Sequence, residues 1–313
     1  MIGNREIEGL RALTLSSEDG ELEAAFVPEA GMVGCSLLSR GEELLGQRGG
    51  LARYVRDRST MGIPLLHPWA NRVSQLRFGV AGREIDLADH RELLSLDPNG
   101  HPIHGLVAGA DGWTVKRHEE ASDGALLDAA FDFAAHEELI DAFPFPHRLE
   151  MAVRVGGQTL TIATTLQSIG ELPVPVSFGF HPYFRLPGVP RAEWEVEIPV
   201  DRRVDLDDEE LPTGEMEEAE VDGGPLGSRT FDDEFGAPDG GAPFVLEGGG
   251  RRIEVSFGDG YPYSQVYAPD DDDVVAFEPM TAPTNALVSG LDLTLLEPGK
   301  SYRASFSITV TPT

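Results

Sequence analysis

Two titratable side chains stand where β-favouring runs are interrupted by proline. His181 ends the run at residues 174–180, Glu278 ends the run at residues 274–277, and each is followed directly by proline. Because proline has no N–H group to donate, regular strand pairing is expected to stop after His181. Glu278 is either solvated at a strand end or held in a pocket, and the apolar run before it favours partial burial. A histidine and a partly buried carboxylate can act as general acid and general base, since burial raises the pKa of a carboxyl group.

Four further polar residues are set among apolar or turn residues. Asn71 and Arg72 follow the apolar stretch 61–70, whose two prolines exclude a helix or a central strand, so a loop presenting both side chains is predicted. His104 lies in a turn cluster at residues 97–105, and Asp232 lies in an acidic stretch flanked by phenylalanines. Taken singly, each has an ordinary explanation as a turn former, an ion-pair residue or part of a solvated face.

Other clusters of histidine and carboxylate do not match metal sites. His101 and His104 are close in sequence, but two histidines with a proline between them do not give helical ligand geometry for zinc. Residues 270–273 are consecutive aspartates without the alternation or the glycine of a calcium loop, which indicates a solvated turn. We therefore expect no metal site, and we interpret His67 as a histidine of the core or of a loop.

The elements that must position these residues are β-strands. Hydrophobic and polar residues alternate at residues 149–155, 160–166, 194–200, 253–257 and 302–310. Such alternation is typical of strands with one buried face. Glycines at 156–157 predict one hairpin, and residues 24–28 with 32–38 predict another. Since no stretch keeps a helical period for more than a couple of turns, the predicted fold class is all-β, with antiparallel sheets packed face to face.

The chain is predicted to form a single domain over residues 1–313, with about the first 20 residues at its periphery. Its length allows a large core, and its 36 glycines and 23 prolines favour many short strands joined by turns. Residues 201–241 are acidic and rich in glycine and proline. Because strands of the same character resume beyond them, we interpret this segment as a long excursion from one sandwich rather than as a linker.

The composition argues against several partners and compartments. Lys and Arg number 24 against 54 Asp and Glu, which gives a net charge of −30 that repels phosphate backbones and anionic lipids. We therefore expect no nucleic-acid and no membrane partner. The single cysteine, Cys35, allows no intrachain disulfide and is interpreted as a small buried hydrophobe. Without an apolar leader or a membrane-spanning run, a soluble cytoplasmic protein is expected, as a monomer or a homodimer.

Together, the motifs resemble those of the aldose 1-epimerases, also called galactose mutarotases. They occur in the family's order and extend over nearly the whole chain, roughly residues 24–310. The motifs are Pro68-Trp-Ala-Asn71-Arg72, His104-Gly105, His181-Pro-Tyr-Phe184, Pro212-Thr-Gly-Glu215, Asp232, Gln265-Val-Tyr267 and Phe277-Glu278-Pro-Met-Thr281. The resemblance implies the family's fold, a large antiparallel β-sandwich of the supersandwich type.

The resemblance also implies a reaction and residue roles. The α- and β-anomers of an aldohexose would interconvert by ring opening and closure, with His181 as general acid and Glu278 as general base. No metal, nucleotide, other cofactor or covalent intermediate is needed for this reaction. The residues that would bind the sugar are Asn71, Arg72, His104 and Asp232. As a proton donor, His181 is expected to keep a pKa near neutral, supported by nearby carboxylates.

Two positions depart from the pattern of the galactose-acting branch. Leu106 stands where that branch commonly has a second glycine, and Arg185 stands where asparagine is usual. Both changes are compatible with the hexose-6-phosphate 1-epimerase branch, in which basic residues would line a phosphate site. Arg77 and Arg185 are the candidates for that role, although solvated ion pairs explain both more simply.

Two other classes of protein remain alternatives at this point. A non-catalytic carbohydrate-binding protein on the same fold predicts loss of the acid or the base, whereas this sequence retains both His181 and Glu278. A glycoside hydrolase needs two carboxylates beside the scissile bond, for example Asp232 and Glu278, which leaves His181 without a role. An enzyme acting on a small-molecule sugar is therefore the leading hypothesis.

Overall fold

The fold consists of many short strands joined by turns. The computed structural model describes all 313 residues apart from the side chain of Asp239. Within these residues the chain forms 28 β-strands and three short α-helices. The helices are α1 (Leu51–Asp57), α2 (Glu137–Ala142) and α3 (Ala286–Ser289). None of the helices in the described residues is both long and apolar enough to cross a membrane.

The strands lie along the whole chain. The first fourteen are β1 (Ile2–Ile7), β2 (Leu10–Ser16), β3 (Leu22–Val27), β4 (Val33–Ser39), β5 (Glu42–Glu43), β6 (Leu65–Leu66), β7 (Arg77–Val80), β8 (Arg83–Asp86), β9 (Ser95–Leu96), β10 (Pro102–Ile103), β11 (Thr114–Ala121), β12 (Gly124–Asp132), β13 (His147–Gly156) and β14 (Thr159–Ser168). The others are β15 (Val174–Val176), β16 (Gly179–Phe180), β17 (Tyr183–Phe184), β18 (Glu195–Glu197), β19 (Arg202–Leu206), β20 (Pro212–Glu218), β21 (Gly224–Pro225), β22 (Phe231–Gly236), β23 (Phe244–Gly248), β24 (Arg251–Phe257), β25 (Tyr263–Ala268), β26 (Val275–Met280), β27 (Thr294–Leu296) and β28 (Ser301–Pro312).

Three large antiparallel sheets contain most of these strands. The nine-stranded sheet has the order β11-β12-β13-β14-β28-β24-β23-β18-β21. The eight-stranded sheet has the order β20-β19-β22-β25-β26-β16-β6, and β17 pairs beside β16 along β26. The five-stranded sheet follows the chain from β1 to β5. The predicted all-β class and antiparallel pairing are therefore confirmed.

Aromatic side chains fill the space between the nine-stranded and the eight-stranded sheets. Phe306 of β28 packs on Phe180 of β16 with ring centroids 5.0 Å apart, and Phe244 of β23 stacks on Phe277 of β26 at 5.1 Å. Each of these rings is buried because the facing residues of an alternating strand all point to the same side. The two sheets thus pack face to face as a β-sandwich, as the alternation predicted.

Both predicted hairpins are confirmed. β13 and β14 pair along their whole length around the glycines at 156–157, and β3 pairs with β4. The single cysteine, Cys35 of β4, is buried as expected, and burial raises the pKa of its thiol to about 12.

Two regions differ from the sequence-based expectation. Residues 201–241 are not a long excursion: β19 to β22 form from them, and three of these strands extend the eight-stranded sheet. The first residues are not simply peripheral either, since only β1 lies at the sheet edge, whereas Leu13 and Leu15 of β2 enter the main core. Charge and turn residues hid both features, and the strands at the sheet edges, β1 and β20, bury few side chains and need little apolar alternation.

Candidate active site

Strand β26 brings the histidine and the glutamate together. β16 pairs with β26 through Gly179 and Met280, and β17 pairs with β26 through Tyr183 and Ala276. His181 lies between these two pairings, so its side chain is delivered next to Glu278 at the middle of the strand. The imidazole Nε2 and the carboxylate Oε1 are 3.1 Å apart. Both residues are almost fully buried, at 4% and 2% exposed.

Burial sets the proton affinity of this pair. It raises the pKa of Glu278 well above 4.5, and the carboxylates of Asp232 and Glu234 add to that effect while Arg72 opposes it. Burial likewise lowers the pKa of His181 well below 6.5, with a further decrease from His104 and Arg48. The expectation that carboxylates keep the pKa of His181 near neutral is therefore wrong, because loss of hydration outweighs them. Both shifts favour the neutral imidazole and the protonated carboxyl group.

Three aromatic rings hold the His181 imidazole in place. Tyr183 stacks on it with ring centroids 4.0 Å apart and planes within 17°. His104 and Tyr267 meet it edge-on, at 5.4 Å and 5.5 Å. The ring therefore has little freedom to rotate away from Glu278, which preserves the hydrogen-bonding distance needed for proton transfer.

Asn71 and Arg72 lie in a loop, as predicted, but both are buried, and Arg72 is surrounded by oxygen atoms. Its Nε donates to Asp97 at 2.9 Å, and its Nη1 donates to the side-chain oxygen of Asn71 at 2.9 Å. Its Nη2 pairs with Glu210 and lies 3.5 Å from Asp232. The Arg72 guanidinium thus holds the carboxylates of Asp97, Glu210 and Asp232 along one wall of the cleft.

His104 lies opposite this wall as a neutral ring. Its backbone N–H donates to the Asn71 carbonyl at 2.9 Å, which fixes the turn against the loop. Burial, together with the positive charges of Arg72 and Arg48, lowers the pKa of His104 to about 3. A neutral imidazole can both donate and accept a hydrogen bond, so His104 is suited to a hydroxyl group rather than to an anion.

The structure also distinguishes the two adjacent aspartates of β22. Asp232 accepts a hydrogen bond from the Gln265 side chain at 2.6 Å and faces Arg72. Asp233 points the other way and pairs with Arg203 at the surface. Neighbouring residues of a strand face opposite sides, so only one of the two can line the cleft.

All six residues singled out in the sequence line one cleft of about 330 Å³, a size suited to a small molecule. Sequence reasoning gave no role to several other residues of its lining. Those that add polar atoms are Arg48, Thr60, Asp97, Glu210, Gln265 and Tyr267. Gln265 and Tyr267 belong to a motif that carries the family resemblance but indicates no role for them, whereas Arg48 and Glu210 reach the cleft from turns whose sequences carry no distinguishing signal.

The residues considered for a phosphate site lie elsewhere. Arg77 is exposed and pairs with Asp86 at 2.8 Å, and Arg185 is exposed at the start of the turn after β17. Neither lines the cleft. Among the described side chains, no group of three or more His, Cys, Asp or Glu residues is arranged to hold a metal ion.

The fold and the cleft define a class of protein, that of the galactose mutarotase-like β-sandwiches. A galactose mutarotase-like protein from Clostridium acetobutylicum superimposes with a TM-score of 0.85 at 19% identity, covering 100% of this chain and 99% of the other. A galactose 1-epimerase from Lactobacillus acidophilus gives a TM-score of 0.77 at 16% identity, with coverage of 100% and 98%.

The sequence comparison is more specific. The family model of aldose 1-epimerases matches residues 19–309, so this chain belongs to the aldose 1-epimerase family. The chain is also 25% identical over 260 residues to the uncharacterized protein YihR of Escherichia coli. The aligned region covers 79% of this chain and 80% of that protein.

Proposed function

We propose that this protein is an aldose 1-epimerase that interconverts the α- and β-anomers of an uncharged aldohexose. The observation that carries the proposal is the 3.1 Å approach of His181 Nε2 to Glu278 Oε1 within the cleft. The two oxygens that exchange protons in this reaction, the C1 hydroxyl and the ring oxygen, are bonded to the same carbon. An acid and a base that serve them must therefore lie close together.

The reaction needs one proton on the pair. Glu278 removes the proton of the C1 hydroxyl while His181 donates a proton to the ring oxygen, and the bond between C1 and the ring oxygen breaks. The open-chain aldehyde then rotates about its C1–C2 bond. Closure on the other face of the carbonyl returns both protons and yields the other anomer. Protons balance over the cycle, and no group outside the pair is consumed.

The remaining cleft residues are proposed to hold the sugar. Arg72 and Asn71 would donate hydrogen bonds to its hydroxyl oxygens, and Asp232 would accept from hydroxyl groups. His104, neutral and fixed by the loop, would donate or accept at the ring side. Such orientation is worth as much to the rate as the proton transfers, because reactant and catalytic groups meet without further loss of freedom.

The test is to follow the optical rotation of freshly dissolved α-D-glucose and α-D-galactose. The wild-type protein is expected to speed relaxation, and Glu278→Gln is expected to lower the rate by about 10²–10⁴-fold, since the amide cannot accept the proton. Asp233→Asn is the matched control, because it removes a carboxylate of β22, in the same sheet as Glu278, that points to the surface.

Other outcomes have defined meanings. A Glu278→Gln variant as active as wild type would contradict the assigned base. Relaxation at the buffer rate with both sugars would contradict the proposal, and α-D-glucose 6-phosphate would then distinguish the phosphorylated-hexose branch from a non-catalytic sugar-binding protein.

A further inference from the structure

A short turn between β19 and β20 forms one side of the cleft entrance. Residues 207–211 lie against the turn at residues 97–101: His101 Nε2 is 3.3 Å from a Glu209 carboxylate oxygen, and the Asn99 side chain donates to the Glu209 carbonyl at 3.4 Å. The turn is held at its base by Asp207, whose Oδ1 accepts from the backbone N–H groups of Glu209 at 2.8 Å and Leu211 at 3.1 Å. Its tip is therefore fixed.

The residue at this tip is Glu210, which has a left-handed backbone with φ of 61°. Such a conformation is costly for a residue other than glycine and is concentrated at functional sites. Three other residues lining the cleft share it, namely Arg48, Asn71 and His104. The strained backbone at Glu210 thus accompanies a side chain that lines the cleft.

Burial separates the carboxylates around Arg72 into two kinds. The Asp97 side chain is only 1% exposed and holds Arg72 from behind. Glu210 and Asp232 are 42% and 34% exposed and meet the same Nη2 atom from the open side. Next to them, the buried Gln265 donates to Asp232, and its Oε1 has no hydrogen-bond partner among the described residues. Acceptor oxygens therefore outnumber donors on this wall.

We propose that Glu210 is a substrate-binding residue that, with Asp232, accepts hydrogen bonds from neighbouring hydroxyls of an uncharged sugar and excludes sugars with an anionic substituent from this end of the cleft. This inference rests on the proposed function. Free hydroxyl groups donate to carboxylates and can accept from the Arg72 N–H groups between them, so a diol matches this wall.

An anionic group does not match it. Arg72 already faces three carboxylates, so a phosphate or carboxylate beside it would meet more negative than positive charge. Arg48, the other cation lining the cleft, lies 4.7 Å from the Tyr183 ring and 3.6 Å from Asp272, away from this wall.

The test measures binding and turnover in parallel. D-galactose and D-galacturonate binding is measured by calorimetry, and kcat and KM for D-galactose by polarimetry, on wild type, Glu210→Ala, Glu210→Gln and the control Asp208→Asn, which removes an exposed carboxylate of the same turn. Glu210→Ala is expected to weaken galactose binding and raise KM by about tenfold or more, with kcat within about twofold, because hydrogen bonds to a charged acceptor are lost far from the proton-transfer pair. Glu210→Gln, which removes only the charge, is expected to improve galacturonate binding relative to galactose by about fivefold or more.

The following results would overturn the inference, the proposed function, or both. Unchanged galactose binding in Glu210→Ala would mean that Glu210 makes no hydrogen bond to the sugar. Tighter binding would mean that Glu210 competes with the sugar for Arg72. An unchanged galacturonate-to-galactose ratio in Glu210→Gln would refute charge exclusion. A wild-type protein that binds galactose without accelerating its relaxation would refute the epimerase proposal alone, since the calorimetric comparison still decides the role of Glu210. A wild-type protein that binds no sugar would refute both.

Discussion

At the residue scale, His181 and Glu278 behave as one titrating unit rather than as two independent groups. Their 3.1 Å contact means that a proton added to one changes the affinity of the other. Removing both from water disfavours every charged state, so a single shared proton is retained over a wide pH range. Transfer of that proton from Glu278 to His181 along their contact gives the carboxylate base and the imidazolium acid that the proposed reaction needs.

This predicts the pH profile. The pair gains a second proton only below the lowered pKa of His181 and loses its last one only above the raised pKa of Glu278. We therefore expect kcat/KM for D-galactose to stay on a plateau at pH 6.5, with the acidic limb well below that value, measured by polarimetry from pH 4 to 9. An acidic limb centred at pH 6.5 or above would show an ordinary histidine instead. Asp233→Asn should leave the profile unchanged.

Single residues also show where the sequence stops being informative. His181 and Glu278 were recognisable because each stands between an apolar run and a proline that directly follows it. Asp97 and Glu210 were not, since their importance comes from Arg72, which is 25 and 138 residues away in the chain, and proximity of that kind leaves no local pattern. For the same reason the choice between the adjacent aspartates required the direction of β22.

At the element scale, the site depends on how closely β16 approaches β26. A Cβ atom added to Gly179 would lie 2.6 Å from the Pro279 carbonyl oxygen and 2.9 Å from the Ala70 Cβ. Both distances are shorter than real side chains allow, and both neighbours belong to packed backbone or to a buried residue. The glycine is therefore what permits the strand leading to His181 to lie directly against the strand carrying Glu278.

Gly179→Ala is expected to push these two strands apart. Overpacking of this kind costs about 1–3 kcal/mol of unfolding free energy, and a displacement of the acid from the base should lower kcat by about tenfold or more. Urea unfolding and polarimetry measure the two effects. The control is Gly223→Ala, where the added atom meets nothing closer than 3.5 Å and should change neither quantity. Wild-type kcat in Gly179→Ala would contradict the close-approach requirement.

Strands with one buried face were readable in the sequence, and strands at the sheet edges were not. β13, β14, β24 and β28 alternate clearly because each lies inside the nine-stranded sheet. β20 lies at the edge of the eight-stranded sheet, beside β19, and is exposed along nearly its whole length, so an acidic sequence suffices there. Outside the two predicted hairpins, the partner of a strand was not readable: β14 also pairs with β28, which begins 133 residues after β14 ends.

At the scale of the whole molecule, charge determines the properties of the surface, whereas burial of apolar side chains determines stability. The net charge of −30 keeps the surface hydrated and lowers the local concentration of anions, which is consistent with an uncharged substrate. The exposed ion pairs on the sheets each contribute little to stability. Cohesion comes mainly from the core between the sheets, where a few polar groups are also buried and have to find partners.

One such pair links the cleft loop to the nine-stranded sheet. His67, at the base of the loop that carries Asn71 and Arg72, meets His147 of β13 with their Nε2 atoms 2.7 Å apart, and both rings are fully buried. The Phe145 carbonyl accepts from His147 Nδ1 at 2.6 Å, so the neutral His147 ring presents its other nitrogen as an acceptor. His67 must then donate through Nε2. A proton added to His147 occupies the acceptor nitrogen of this contact, and one added to His67 goes to its buried Nδ1, which has no hydrogen-bond partner among the described residues.

The pair therefore makes stability depend on pH with a definite sign. Burial lowers the pKa of His147 from 6.5 to about 4 and that of His67 well below 6.5, so the unfolded chain binds protons that the folded protein does not. The contribution is fully present above pH 6.5 and is lost as the pH falls towards 4; His147 alone accounts for about 2 kcal/mol of unfolding free energy between pH 7 and 5.

Urea unfolding at these two pH values measures the effect. The unfolding free energy of His147→Gln should fall between pH 7 and 5 by about 2 kcal/mol less than that of wild type, even though this variant is less stable at both pH values. The control His118→Gln removes a half-buried histidine outside the pair and should keep the wild-type difference. Equal pH dependence in wild type and His147→Gln would mean that the pair is not the source.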